Sequence, residues 1–281
     1  MAIKNLVVML DGGVGCAARI DAALVMVEKY QAHLTGVYAR PKNSFVPENL
    51  EYLLPADTHA ELKKVLHQGT ENEAQAVHQL FNEKIAAAGV ADRAHWHTLT
   101  HDPDKAATLI ARYADLVIAG QYIDGKADIA AIDPREVVFS SGRPLLIFPQ
   151  SYQQTKPLTG HAVIGWNRSR EASRALADAM QILETKSKVT VVVVDRKSNP
   201  QGELPFDVIE HIRRHGINAE KVELPLSTKN PGLEIMHYAE KVEADLLVMG
   251  AYSRSRWQEQ LMGGATCSIM REMTVPVLMS H

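Results

Sequence analysis

Two seven-residue runs, "ADLVIAG" at 114–120 and "ADLLVMG" at 244–250, share alanine, aspartate, leucine and a final glycine. Each run closes the same longer phrase. In "HDPDKAATLIARYADLVIAG" Asp102 stands at a helix N-cap and Pro103 at the first helical position. In "KNPGLEIMHYAEKVEADLLVMG" Asn230 and Pro231 do the same. A side-chain oxygen at the N-cap accepts a free helical N–H, and proline is tolerated at the next position because its missing N–H has no partner there anyway. A chain that repeats a cap–helix–strand phrase in this way is constrained to repeat an architecture.

The repeat extends outward from these runs. "NLVVML" (5–10) ends at Asp11 and "HAVIGW" (161–166) ends at Asn167. Continuous apolar runs of this length suit central strands of a parallel sheet. Each is followed by apolar residues at helical spacing: Ala18, Ile20, Ala23, Leu24 and Val27, then Ala172, Ala175, Leu176, Ala179, Met180 and Leu183. A second strand comes next, "HLTGVYA" (33–39) or "KVTVVVVD" (188–195), and each half closes on "RPLLIFP" (143–149) or "VPVLMS" (275–280). The order β-α-β-α-β-α-β-α-β in each half predicts two Rossmann-like α/β domains. Right-handed crossovers give each a five-stranded parallel sheet with helices on both faces. The boundaries read as 1–150 and 157–281, joined by the polar "PQSYQQTKP" (149–157). The halves differ in one place. A long helix, roughly Thr58 to Ala88, has only a short counterpart near Leu204 to His215.

A net charge of −3 over 281 residues gives no general attraction to nucleic acid or anionic membrane. Trp96, Trp166 and Trp257 are too scattered to form a base-stacking platform. The apolar runs fall far short of the ~20 residues that cross a bilayer. The strand-like opening "MAIKNLVVML" lacks the layout of a signal peptide. Cys16 and Cys267 stand far apart with no metal spacing. A cytoplasmic, reduced protein is the expectation.

The stretch "MGAYSRSRWQEQLMGGATCS" (249–268) carries the clearest chemical signal. Gly250 ends a strand, and Gly263-Gly264-Ala265-Thr266 opens a helix. A helix N-terminus offers free N–H groups and the positive end of its dipole, and glycine lets a phosphate come close. Arg254 and Arg256 add charge, and Thr266 adds a hydroxyl. The same glycines would also serve a plain strand-to-helix turn.

At these residues the chain resembles a tandem universal stress protein, over nearly its whole length. That family's motif after the fourth strand is G-x2-G-x9-G-[S/T]. Here it reads Gly250, Ser253, Gly263 and Gly264, with the spacing kept and two positions changed. The resemblance implies that the motif wraps the ribose and phosphates of ATP or AMP. It places Asn167 where the family has an aspartate, and Gly165 and Val194 beside the adenine. It also implies pairing of the halves through their last strands as an internal pseudo-dimer, and a role in stress-response signalling or protection. Mg²⁺ would accompany the nucleotide. A homodimer and unidentified protein partners stay open, as does a nucleotide-free scaffold.

The first half reads differently. Counting from Gly120 puts Ile123 and Asp133 at the second and third motif glycines. Asp133, Pro134 and Glu136 form a capping-box pattern. A carboxylate there competes with phosphate for the same N–H groups, so the first half is expected not to hold ATP in the family manner.

Other signals carry less. Gly13-Val14-Gly15-Cys16-Ala17-Ala18 matches a dinucleotide G-x-G-x-x-A, and Arg40 would suit a 2′-phosphate. This leaves an NADP-linked oxidoreductase as an alternative. "HWHTLTH" puts His95 and His97 on one face of a strand, as metal ligands can stand, with His101 and Asp102 nearby but no fixed third ligand. No Walker lysine and no placed carboxylate pair accompany the glycine loop, so any ATP hydrolysis is expected to be slow.

Overall fold

The repeated aspartates Asp115 and Asp245 sit just before β4 (Leu116–Gly120) and β9 (Leu246–Gly250). Each clamps the start of its half's first strand. Asp115 Oδ2 accepts the N–H groups of Lys4 and Asn5, both at 2.8 Å, at the head of β1 (Asn5–Leu10). Asp245 Oδ2 accepts the Gly160 N–H at 2.6 Å, at the head of β6 (His161–Gly165). The backbone N–H groups of the same two aspartates donate to Asn5 and His161. The repeat is thus a strand-starting clamp used twice.

The structure is a computed structural model, and it describes residues 2–39, 55–99, 103–121, 132–153, 158–195, 206–227, 230–251 and 265–281. In the first half these form β1, α1 (Cys16–Tyr30), β2 (His33–Ala39), α2 (Ala56–Ala88), β3 (Ala94–Leu99), α3 (Pro103–Ala111), β4, α4 (Pro134–Ser140) and β5 (Leu145–Phe148). In the second half they form β6, α5 (Arg170–Leu183), β7 (Lys188–Asp195), α6 (Val208–Arg213), β8 (Ala219–Pro225), α7 (Pro231–Lys241), β9, α8 (Ala265–Glu272) and β10 (Val277–Ser280). The strands make one sheet in the order β3-β2-β1-β4-β5-β10-β9-β6-β7-β8. Every pairing is parallel except β5 with β10, where Val277 faces Ile147 and Met279 faces Leu145. The expected internal pseudo-dimer is therefore present, joined through the last strands. That pairing removes the two edges with the most apolar side chains.

Each strand feeds two cores by alternation. Leu6, Val8 and Leu10 pack with Ile20, Val27 and Phe81 under α1 and α2. Val7 and Met9 pack with Ala107, Val137 and Val138 under α3 and α4. In the second half, α5 and α6 cover the first face while α7 and α8 cover the other. The edges left in the sheet are β3 and β8, and β8 carries the exposed charges Glu220, Lys221 and Glu223. Charges on an edge strand oppose further pairing.

Element bounds shift slightly from expectation. The short helix is Val208–Arg213 because Asp207 caps it, accepting the Ile209 N–H at 2.9 Å. Gly216, at φ +77°, then turns the chain away. Asn230 caps α7 through the Gly232 N–H at 3.0 Å, as the sequence predicts. Asp102 lies outside the described residues. Among the described residues no helix is long and apolar enough to cross a membrane.

Candidate functional site

In each half the first strand has neighbours on both sides: β2 and β4 flank β1, and β7 and β9 flank β6. The crossovers leave these central strands in opposite directions, so a crevice opens at the carboxyl ends. The two crevices are built from equivalent elements and differ in content.

In the first half, among the described residues, an ion pair lies across the strand ends. Asp11 Oδ1 accepts the Gly13 N–H at 2.8 Å, and Oδ2 pairs with Arg19 Nη2 at 2.7 Å. Arg19 is the fourth residue of α1, and helical side chains lean back toward the N-terminus. It is 4% exposed, and its guanidinium lies over Gly120, where a Cβ would run into Nη1. Glu73 of α2 reaches the same loop from outside, Oε1 accepting from the Gly12 N–H at 3.2 Å and from Tyr38 Oη at 2.9 Å. Within the dinucleotide-type motif itself, the Gly13 N–H is given to the Asp11 carboxylate. Burial raises the Cys16 thiol above its ordinary value, against a smaller pull from Arg19.

Asp133 caps α4 as predicted, Oδ1 accepting the Arg135 N–H at 2.8 Å. The Arg135 side chain grips both carboxylate oxygens, Nε at 3.0 Å from each and Nη2 at 2.8 Å from Oδ2. The rest of the capping box is not built as expected. The Asp133 N–H goes to Asp104 Oδ1 at 3.0 Å, and Glu136 Oε1 accepts from Ser140 Oγ at 2.7 Å.

The second half makes the same opening turn without the ion pair. Asn167 Oδ1 accepts the Ser169 N–H at 3.0 Å, matching the Asp11 turn. Arg168 between them sits at φ 62°. Ser169 Oγ then caps α5 through the Ala172 N–H at 3.1 Å. The fourth residue of α5 is Ser173, which is exposed. Over Gly250 lies backbone instead: a Cβ there would stand 2.5 Å from both Ala172 N and Glu171 C. Glycine is required because α5 rests directly on the end of β9. Gly250→Ala is expected to cost about 2 kcal/mol, since backbone and not a flexible side-chain tip would have to move. Urea unfolding against the parent chain measures this.

Of the site residues named from sequence, Gly165, Asn167, Val194 and Gly250 all fall at the carboxyl ends of the adjacent strands β6, β7 and β9. Gly165 pairs with Met249 and Val192, and Val194 is half-buried. Thr266 lies in the first turn of α8 and is buried. Ile269, Met270 and Met273 fix that helix to the core. Ser253, Gly263 and Gly264 lie outside the described residues, as do Arg40, His101, Arg254 and Arg256. His95 stacks its ring parallel to His33 at 6.4 Å. Among the described residues no three His, Cys, Asp or Glu side chains are grouped to hold a metal ion. Arg19, Glu73 and the buried Glu171 were not singled out by the sequence. An arginine one turn into the helix after Asp11 was the available signal for the first of them.

A family model described as "Universal stress protein family" matches residues 159–281. Residues 159–281 belong to the universal stress protein family. The first half repeats the fold. A universal stress protein from Archaeoglobus fulgidus superposes with a TM-score of 0.70 at 16% identity, over 98% of this chain and 95% of that one. A functionally unknown protein from Pseudomonas aeruginosa gives 0.56 at 15% identity, over 99% and 92%. At these identities the likeness is one of fold, and it spans both halves. A universal stress protein in complex with cAMP matches at a TM-score of 0.34 and 18% identity, over 43% of this chain and 97% of that one. That likeness is too slight to bear on the ligand here. No curated protein matches the chain.

Proposed function

We propose that the universal stress protein domain of residues 159–281 binds one adenine nucleotide, ATP or AMP, in the crevice between β6 and β9. Its occupancy would serve stress-response signalling or protection in the cytoplasm. The observation that carries this reading is the contrast between the two crevices. The Arg19–Asp11 ion pair lies across the strand ends of one, whereas the fourth residue of α5 is an exposed serine and Gly250 stands at the strand end. The spacing Gly250, Ser253, Gly263, Gly264 adds support, as does Thr266 in the first turn of an eight-residue helix. Mg²⁺ would enter with ATP as its counter-ion. The reading is one of binding, because the chain brings no Walker lysine to the phosphates.

A second reading, a scaffold without nucleotide, has its own observation. Glu171 is 8% exposed in the first turn of α5 and its backbone touches the space over Gly250. Its carboxylate pairs with Arg170 Nη2 at 3.0 Å. A carboxylate so placed disfavours an anion nearby. Such a scaffold would act through protein partners or a second copy of the chain.

Denaturing freshly purified protein and identifying what it releases separates the readings. ATP or AMP at no more than one per chain is the expected result. NADP would favour the oxidoreductase alternative. No released nucleotide, together with no calorimetric binding of ATP, would favour the scaffold.

A further inference from the structure

The first half makes two contacts that converge on the two described flanks of the second half's candidate site. The first is Gln121, the residue after Gly120. Its Nε2 donates to the carbonyl oxygens of Met270 at 3.1 Å and Arg271 at 2.8 Å. These are carbonyls of the last turn of α8, which has no intrahelical donor for them. Gln121 Oε1 accepts the Gln150 N–H at 3.2 Å, and its own N–H donates to Phe148 O at 2.8 Å. The amide orientation is fixed by this set: turned over, the oxygen would face two carbonyl oxygens and the NH₂ would face an N–H. The second contact is Phe139 of α4. Its ring stacks on His281, with centroids 4.8 Å apart. His281 Nδ1 lies 3.0 Å from Ala251 O, and because a carbonyl only accepts, Nδ1 carries the proton. Ala251 is fully buried, and its N–H donates to Ser280 O at 2.8 Å.

We infer that the first half is a positioning clamp for the second half's nucleotide site. Gln121 fixes the C-terminal end of α8, whose first turn carries Thr266. Phe139, through His281, fixes Ala251, the residue after Gly250. A helix held at its C-terminal end by a side chain from another unit has its N-terminus set relative to β9 by that unit. The inference rests on the nucleotide reading above. It also gives the first half a task that does not require a ligand of its own. Gln121 is a positioning residue: it touches the helix that would meet the phosphate, and not the phosphate.

The test compares Gln121→Glu and Gln121→Lys in the full chain. Glutamate is the same size, keeps the acceptor for Gln150 and turns the donor into an anion facing the negative end of α8. Lysine restores a donor and a favourable charge. Two readouts are taken: the ATP Kd by calorimetry and amide hydrogen exchange across residues 265–272. Gln121→Glu is expected to raise the Kd about tenfold and to speed exchange in α8, with Gln121→Lys close to the parent in both. An unchanged Kd in Gln121→Glu overturns the inference while leaving the nucleotide reading intact. A parent chain that binds no ATP overturns the nucleotide reading. The inference falls with it, and α8 exchange unchanged in Gln121→Glu overturns the inference in either case. Equal loss in the glutamate and lysine variants also overturns it, because the effect would then be one of shape and not of donation to the carbonyls.

Discussion

Replacing Asp245 with alanine is expected to destabilise the chain by about 3–5 kcal/mol, because it strands a buried ammonium. The Lys186 side chain is wholly buried and its Nζ pairs with Asp245 Oδ1, while Oδ2 of the same carboxylate holds the Gly160 N–H. Burial, with a smaller push from Lys29, lowers the Lys186 pKa, and Asp245 is the group that opposes this. Without Asp245 the buried lysine would release its proton more readily than in the unfolded chain, where the ordinary value is 10.5. The unfolded state would then bind more protons between that lowered folded-state pKa and 10.5. The variant should therefore gain stability as pH rises toward 10, with the loss largest at lower pH. Asp115 provides the comparison within the same molecule. It accepts two backbone N–H groups at an exposed site, and Asp115→Ala leaves both to water, at a cost of about 1 kcal/mol. Adding Lys186→Met to Asp245→Ala should recover most of the loss. Urea unfolding of the four chains decides the matter, and equal losses at Asp245 and Asp115 would defeat the argument.

This contrast also marks what sequence reading reaches. The "AD" before each fourth strand was visible as a repeat, and so was the fold it belongs to. Local chemistry carried that far: apolar runs, Pro-started helices, and caps such as Asn230 and Asp133, whose partners lie two residues away. The antiparallel meeting of β5 and β10 was legible only through family resemblance, since nothing local states which edges join. The contents of the first crevice were not legible. Arg19 reaches Gly120 across a hundred positions, and Glu73 reaches Gly12 from the middle of a 33-residue helix. Each is an ordinary charged residue on a helix until the sheet order puts those strand ends together. The capping box shows the same limit on a smaller scale. Asp133 and Glu136 fit the pattern, but Asp104 of α3 takes the N–H, and only tertiary packing brings it there. The dinucleotide-type motif from Gly13 to Ala18 shows it too, since the Asp11 carboxylate that takes the Gly13 N–H is itself held by Arg19 from within α1.

The largest functional effect is expected at Gly263. Gly263 lies outside the described residues, but by spacing it holds the third position of the glycine motif, the one that Asp133 takes in the first half, and the nucleotide reading assigns that position to the phosphates. Gly263→Asp would write the first half's solution into the second. A carboxylate about 4 Å from a phosphate in a partly screened site opposes binding by about 4 kcal/mol per unit charge, on the order of a thousandfold in Kd. Gly263→Asn adds nearly the same bulk without the charge, so the difference between the two variants isolates electrostatics from crowding. Raised ionic strength should narrow that difference, since screening acts on charge and not on volume. Calorimetry with ATP at two salt concentrations provides the measurement. A parent chain that binds and a Gly263→Asp chain that binds equally well would place the phosphates elsewhere. Equal weakening by Asn and Asp would make the site one of close fit, with glycine needed for space and the dipole of α8 secondary. The expected order, parent tightest, then Asn, then Asp, follows from the repulsion between a carboxylate and a phosphate competing for one helix N-terminus.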